Sequence, residues 1–189
     1  MTVDALVGIA LGLGLAAAAG LRIFVPILGA GLAAHFGVLA LNPTFAWVGT
    51  IPALIAFGTA SALEIGAYYV PWLDHVLDIV ATPTAVGAGM LASAAVVTDL
   101  PPLVTWVVAI VGGGGVAGLV QMLSVAVRVK STLTTGGLAN PVVATGEAMG
   151  AASITALAIF VPVVALLLLI LAGVLVVRIT GSLRRKREG

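Results

Sequence analysis

"PVVATGEAMGAASITALAIFVPVVALLLLILAGVLVV", residues 141–177, contains a single charged side chain, Glu147. As one straight helix this stretch would be roughly 55 Å long at 1.5 Å per residue. The hydrocarbon core of a bilayer is only about 30 Å thick. The stretch therefore calls for lipid as its solvent, yet it is too long for one straight crossing. Gly146, Gly150 and Pro162 interrupt it, so a broken or re-entrant helix is expected here.

The rest of the chain is of the same kind. Of 189 residues, 61% are apolar and 8% charged, and mean hydropathy is +1.27. That composition lies far outside the soluble range and predicts an all-α, polytopic membrane protein with about five to six crossings. Ala5 to Phe36 is apolar except for Arg22 and His35. It is again too long for one crossing, and Pro26 puts a discontinuity near Arg22 to Pro26. Asn42-Pro43 makes a turn. A span follows from about Phe45 to Tyr69, with Tyr68, Tyr69 and Trp72 suited to the membrane interface.

"PWLDHVLDIV" (71–80) places Leu73, Val76, Leu77 and Val80 on one helical face and Asp74, His75 and Asp78 on the other, as in a short interfacial helix. Asp74 and Asp78, four apart, form an interfacial acidic pair that is either solvated or bridged by a cation. Further spans run from about Thr84 to Thr98 and from about Leu103 to Val127. The second passes through Gly112 to Gly115, which would allow close backbone approach, and is closed by Arg128 and Lys130. Residues 1–180 form one transmembrane domain and 181–189 a basic tail carrying Arg184, Arg185, Lys186 and Arg187. The positive-inside rule makes that tail cytoplasmic and the protein a multi-pass component of the inner (plasma) membrane. "RIFVPILGA" at Arg22 and "AIFVPVVAL" at Ala158 share Ile-Phe-Val-Pro, the trace an internal repeat would leave at paired helix breaks.

Several functions are excluded or weakened. With no cysteine, thiolate chemistry and cysteine metal sites are absent. His35 and His75 are not at metal-ligand spacing, and no nucleotide loop, HExxH or GxSxG element is present. No cofactor is expected, and an enzyme acting through Asp74, His75 and Asp78 would lack a nucleophile. The basic tail is explained by membrane orientation and does not point to nucleic acid.

Three charges stand within apolar sequence: Arg22, Glu64 and Glu147. Each costs several kcal/mol, about 3 or more, unless paired, hydrated or snorkelling. The guanidinium can take one carboxylate bidentately, leaving the other to hold a proton or a cation. In "TTGGLANPVVATGE" (134–147), Asn140 has the chemistry of an N-cap and Pro141 that of a first helical residue. A helix starting there below the membrane surface, with Gly136-Gly137 lining a polar cavity, would offer its N-terminus to a polar solute. On that reading Asn140→Ala costs about 1 kcal/mol through the lost cap, and Glu147→Gln leaves folding intact while abolishing transport.

"ALEIGAYYVPWLDHVLDIV" (62–80) and "RVKSTLTTGGLANPVVATGE" (128–147) together resemble the bacterial integral membrane family catalogued as domain of unknown function 4126, over nearly the whole chain. The resemblance implies a helical membrane fold and no particular activity. The expected function is a transporter or channel for an ion or small polar solute, homo-oligomeric in the bilayer. Arg22, Glu64, Asn140 and Glu147 would be its intramembrane polar site. The alternative is a membrane scaffold or assembly factor in which the same charges only join helices.

Overall fold

The computed structural model describes residues 2–69 and 71–188, with side chains except at 71–78 and 179–188. The described residues form helices joined by turns and short irregular segments, without strands: α1 Val3–Ala19, α2 Phe24–His35, a 3-10 helix Pro43–Gly49, α3 Ile51–Ala67, α4 Pro71–Val96, α5 Pro102–Val107, a π-helix Val108–Gly114, α6 Gly115–Thr135, α7 Asn140–Phe160 and α8 Pro162–Glu188. Among the described residues, three helices are long and apolar enough to cross a membrane: Ile79–Val96, the run Pro102–Thr135, and Asn140–Phe160. The 3-10 helix and α3, bent by 67° at their junction, make a fourth if they act as one span. Val3–Ala19, Phe24–His35 and Pro162–Arg178 are shorter apolar helices. The chain is a helical membrane protein.

The N-terminal apolar stretch breaks where expected. α1 ends at Ala19 and α2 starts at Phe24. Pro26, lacking an N–H, falls in the first turn of α2, where no intrahelical donor is needed. The two helices then lie side by side on α7. Gly14 of α1 faces Ala158, and Gly29 of α2 faces Thr155. Residues 20–23 are thus the apex of a helical hairpin, and Leu21 reaches Gly150 of the same α7. α1 is the central helix, with ten residues buried, six of them alanine. Where lipid is as apolar as the protein interior, helices associate through close packing, and small side chains permit it.

α4 packs antiparallel to α1, since Gly12 meets Ser93 while Gly8 meets Val96 and Val97. It corrects the expectation of a short interfacial helix followed by a separate span. Pro71–Val96 is one helix through Pro83. Thr84 Oγ1 donates to the Val80 carbonyl at 2.7 Å, beside the disrupted turn. Prolines are accommodated in membrane helices where nearby hydroxyls and packing re-satisfy the backbone.

The glycine run falls largely in the π-helix and brings backbones together: a methyl on Gly113 would stand 2.6 Å from the Gly89 carbonyl oxygen. The last apolar stretch breaks only once, at Val161-Pro162, and Gly146 and Gly150 are accommodated within α7. The two Ile-Phe-Val-Pro strings occupy different structural positions. Residues 23–26 begin α2, whereas 159–162 end α7 and start α8.

Candidate functional site

The hairpin apex points Arg22 into the bundle, where the residue is 1% exposed. Its Nη2 donates to the Ala144 carbonyl at 2.8 Å and lies 3.2 Å from Glu147 Oε2. Glu147 comes from the buried face of α7, together with Asn140, Ala144, Ala151, Thr155 and Ala158. Spacings of three and four keep those positions on one side of the helix. Arg128 of α6 donates to the same carboxylate, through Nε to Oε1 at 3.1 Å and through Nη2 to Oε2. Ser124 Oγ, one helical turn before Arg128, also donates to Oε1. Glu147 is thus clamped by two guanidiniums and a hydroxyl.

Tyr68, at the C-terminal end of α3, is buried and lies under both cations. Arg22 Cζ is 4.1 Å and Arg128 Cζ 3.8 Å from its ring centroid. The electron-rich ring face is a favourable neighbour for a desolvated guanidinium, with about 2 kcal/mol expected per contact. Tyr68→Leu, which keeps apolar bulk and removes the ring, should therefore lower stability by about 2–4 kcal/mol in a detergent unfolding titration. Tyr68→Phe should preserve the ring part of that stabilisation. Equal stability of the leucine and phenylalanine variants would show that the ring–cation contacts contribute nothing.

Glu64 takes a different role from the bidentate partner of Arg22. Its Oε1 accepts from the Ile23 N–H at 2.8 Å and its Oε2 from the Phe24 N–H at 3.1 Å. Those are the unsatisfied donors at the start of α2, whose own N-cap residue offers no side-chain bond. A carboxylate there satisfies the donors and the positive helix end together. Glu64 makes no ion pair among the described residues. It lines a crevice of about 370 Å³ with Ile23, Phe24, Tyr68, Ala81 and Thr84 among others.

Two expectations are corrected. Asn140 is not the N-cap of α7: that position is Ala139, without a side-chain cap bond, and Asn140 is the first helical residue. Its amide nitrogen donates instead to Thr132 Oγ1 at 3.1 Å, tying α7 to α6. Because the turn at Gly136 and Gly137, both with positive φ, closes the α6–α7 hairpin so tightly, Asn140 is drawn inside the helix and against α6. Nor do those glycines line a polar cavity. Gly136 has no neighbour within 4 Å of where a side chain would start, and the flanking Leu133 and Leu138 are 81% and 87% exposed. The segment is an exposed tight turn. Asn42 does cap its helix, accepting from the Thr44 N–H at 3.1 Å.

Arg128, Ser124 and Tyr68 escaped the sequence reading. Arg128 was expected to close a span at the membrane surface, and Tyr68 to sit in the interfacial belt, but they are 3% and 4% exposed. A signal existed for α6. Gln121, Ser124 and Arg128 are spaced three and four apart in an otherwise apolar helix, and all three are buried. The acidic face of Asp74, His75 and Asp78 lies outside the described side chains, as do the basic residues of the tail. Among the described residues no group of three or more His, Cys, Asp or Glu could hold a metal ion.

Arg22 Nε and Nη1 are buried without a hydrogen-bond partner among the described residues. Such donors are costly to leave unmatched, about 1–3 kcal/mol each. They are the unsatisfied part of an otherwise tightly knit cluster.

No curated protein and no solved structure matches the chain. The family described as Domain of unknown function (DUF4126) matches residues 9–181, so every residue of the ionic cluster falls within it, and the chain belongs to that family.

Proposed function

We propose that the protein is a small transporter or channel of the inner membrane for an ion or small polar solute, with the cluster of Arg22, Glu64, Tyr68, Ser124, Arg128 and Glu147 as its site. The observation that carries this reading is the pair of unmatched, buried donors on Arg22. A cluster serving only to join helices gains from satisfying every donor, because a half-satisfied buried network is worse than an apolar contact. Polar groups held ready inside a membrane bundle are a recurrent mark of solute and ion pathways. The crevice at Glu64 and Tyr68 supplies an approach to the cluster. In this proposal the protein works as a homo-oligomer, with the basic tail on the cytoplasmic side.

The test is flux into liposomes containing the purified protein, over a panel of inorganic ions and small polar metabolites. At least one solute should cross, and Arg22→Lys should lose most of that flux while remaining folded. Lysine keeps the charge and loses the planar fork of donors. Unaltered flux in Arg22→Lys would remove Arg22 from the pathway, and no flux of any solute would remove the reading.

A second reading, a membrane scaffold, is favoured by α8. Residues 171–178 are exposed throughout, and several are large and apolar, among them Leu171, Val174 and Leu175. Such a helix presents its whole circumference to lipid or to a partner helix. Retrieval of a stoichiometric membrane partner that is lost on α8 substitution, with no flux in the liposome assay, would favour the scaffold.

A further inference from the structure

The two carboxylates of the site, Glu147 buried and Glu64 half-buried, differ in what they are free to do. Glu147 is engaged on both oxygens by Arg22, Arg128 and Ser124. A proton arriving there would have to displace two guanidiniums. Glu64 holds only two backbone N–H groups, and it borders the crevice between α3, α4 and the hairpin apex. Its two hydrogen bonds are also the side-chain tie that joins α3 to the start of α2.

We propose that Glu64 is an exchangeable proton site, and that loading it loosens α2 from α3 so that proton binding is coupled to movement of the hairpin. The step is a simple protonation: a carboxylate oxygen takes H⁺ from hydronium in the crevice and becomes a neutral carboxyl group, leaving water. A neutral carboxyl loses its favourable interaction with the positive end of α2. Its hydroxyl oxygen becomes a donor facing an N–H donor, so one of the two capping bonds is replaced by repulsion. The break at residues 20–23 is where such a loosening would act, because no helical hydrogen bonds run continuously from α1 into α2.

The surroundings of Glu64 fit this role. The α1–α2 turn contributes Arg22 and α6 contributes Arg128, and α3 contributes Tyr68, which lines the same crevice. α7 contributes Glu147, held by both arginines. The crevice-lining residues of α4, Val80, Ala81 and Thr84, are uncharged, while Asp74, His75 and Asp78 belong to the part of α4 whose side chains are not described. The carboxylate has cations in its neighbourhood and is not fastened to either of them.

The inference deepens the transport reading by naming a proton as the coupling ion, and its test needs no solute. The chain has no native cysteine, so paired cysteines can be introduced for spin labels at two exposed positions, Phe36 at the end of α2 and Ile51 at the start of α3. Measured by pulsed electron spin resonance in lipid nanodiscs, the distance distribution should shift to a second, longer population as pH falls. In the Glu64→Gln background, which carries a permanently neutral group, that population should be present at every pH. Infrared difference spectra should show an acid-induced carboxyl C=O band that Glu64→Gln lacks. Glu64→Asp, which keeps a titratable group, should restore both pH responses and guards against a folding defect in the glutamine variant. A distance distribution that ignores pH in the parent protein, or one that still responds in Glu64→Gln, would overturn the proposal. Persistence of the infrared band in Glu64→Gln would do the same. Absence of flux in liposomes with these responses intact would instead remove transport and leave the proton switch.

Discussion

Replacing Glu147 with glutamine should destabilise the folded protein by about 3–5 kcal/mol, the usual cost of removing one partner from a buried ionic group. The carboxylate is the shared counter-ion of Arg22 and Arg128 and accepts the Ser124 hydroxyl as well. An amide of the same shape accepts fewer hydrogen bonds and no longer offsets the charge of Arg22, whose 1% exposure denies it water. The reading of Glu147 as a transport residue in a polar site with Arg22, Glu64 and Asn140 made this a functional substitution that spares the fold. The clamped geometry makes it a structural one. Glu64→Gln should cost less, about 1–2 kcal/mol, since it weakens two charge-assisted backbone bonds and leaves no buried cation stranded. Reversible unfolding in mixed micelles, followed by helical circular dichroism, would rank the two. A Glu147→Gln protein as stable as the parent would mean that the arginines find compensation elsewhere.

The difference between those two carboxylates shows what the sequence can and cannot convey. That intramembrane charges must find one another follows from their cost in lipid, and an ion pair of Arg22 with Glu64 or Glu147 was legible on that ground. Which carboxylate takes the guanidinium and which takes a helix end depends on where α3 crosses the hairpin apex, a tertiary fact with no local signature. Arg128 was obscured for a more specific reason. A basic residue at the end of an apolar run looks like an orientation signal, and only its register with Gln121 and Ser124 sets it apart. The helix continues to Thr135, which carries Arg128 inside the bundle.

The breaks of the chain were more readable than its joins. Runs at 5–36 and 141–177 exceed the bilayer thickness, and each contains a proline, so interruption follows from length and chemistry together. Both runs do break, at 20–23 and at Val161. Pro83 has the same chemistry but lies inside α4 without ending it. The distinction is packing. The helix C-terminal to Pro83 is held against α1 and the π-helix through Ala85, Ala88, Gly89, Ala92 and Ser93, and those contacts keep it aligned across the missing hydrogen bond. Asn140 misled for the converse reason. Its residue type suits a cap, but the side chain found a better partner in Thr132 across the hairpin.

The glycine tetrad Gly112 to Gly115 offers the sharpest contrast between neighbouring positions. Gly113→Ala should destabilise the protein by about 1–3 kcal/mol, the range for overpacking a close-packed interior, with the upper end expected. The added methyl would stand 2.6 Å from the Gly89 carbonyl oxygen and 2.7 Å from Ser93 Cβ. A backbone oxygen cannot rotate away as a flexible side chain can, so α4 and the π-helix would have to separate. Gly115→Ala, two residues on, meets nothing within 4 Å and begins α6 in helical geometry. It should stabilise the protein by about 0.5–1 kcal/mol, because alanine has less backbone entropy to lose. If the tetrad served as a flexible hinge, both substitutions would stiffen it and shift stability in the same direction. Opposite signs in the same unfolding assay identify close approach of α4 as the reason for glycine at 113, whereas a shared sign would point to the hinge.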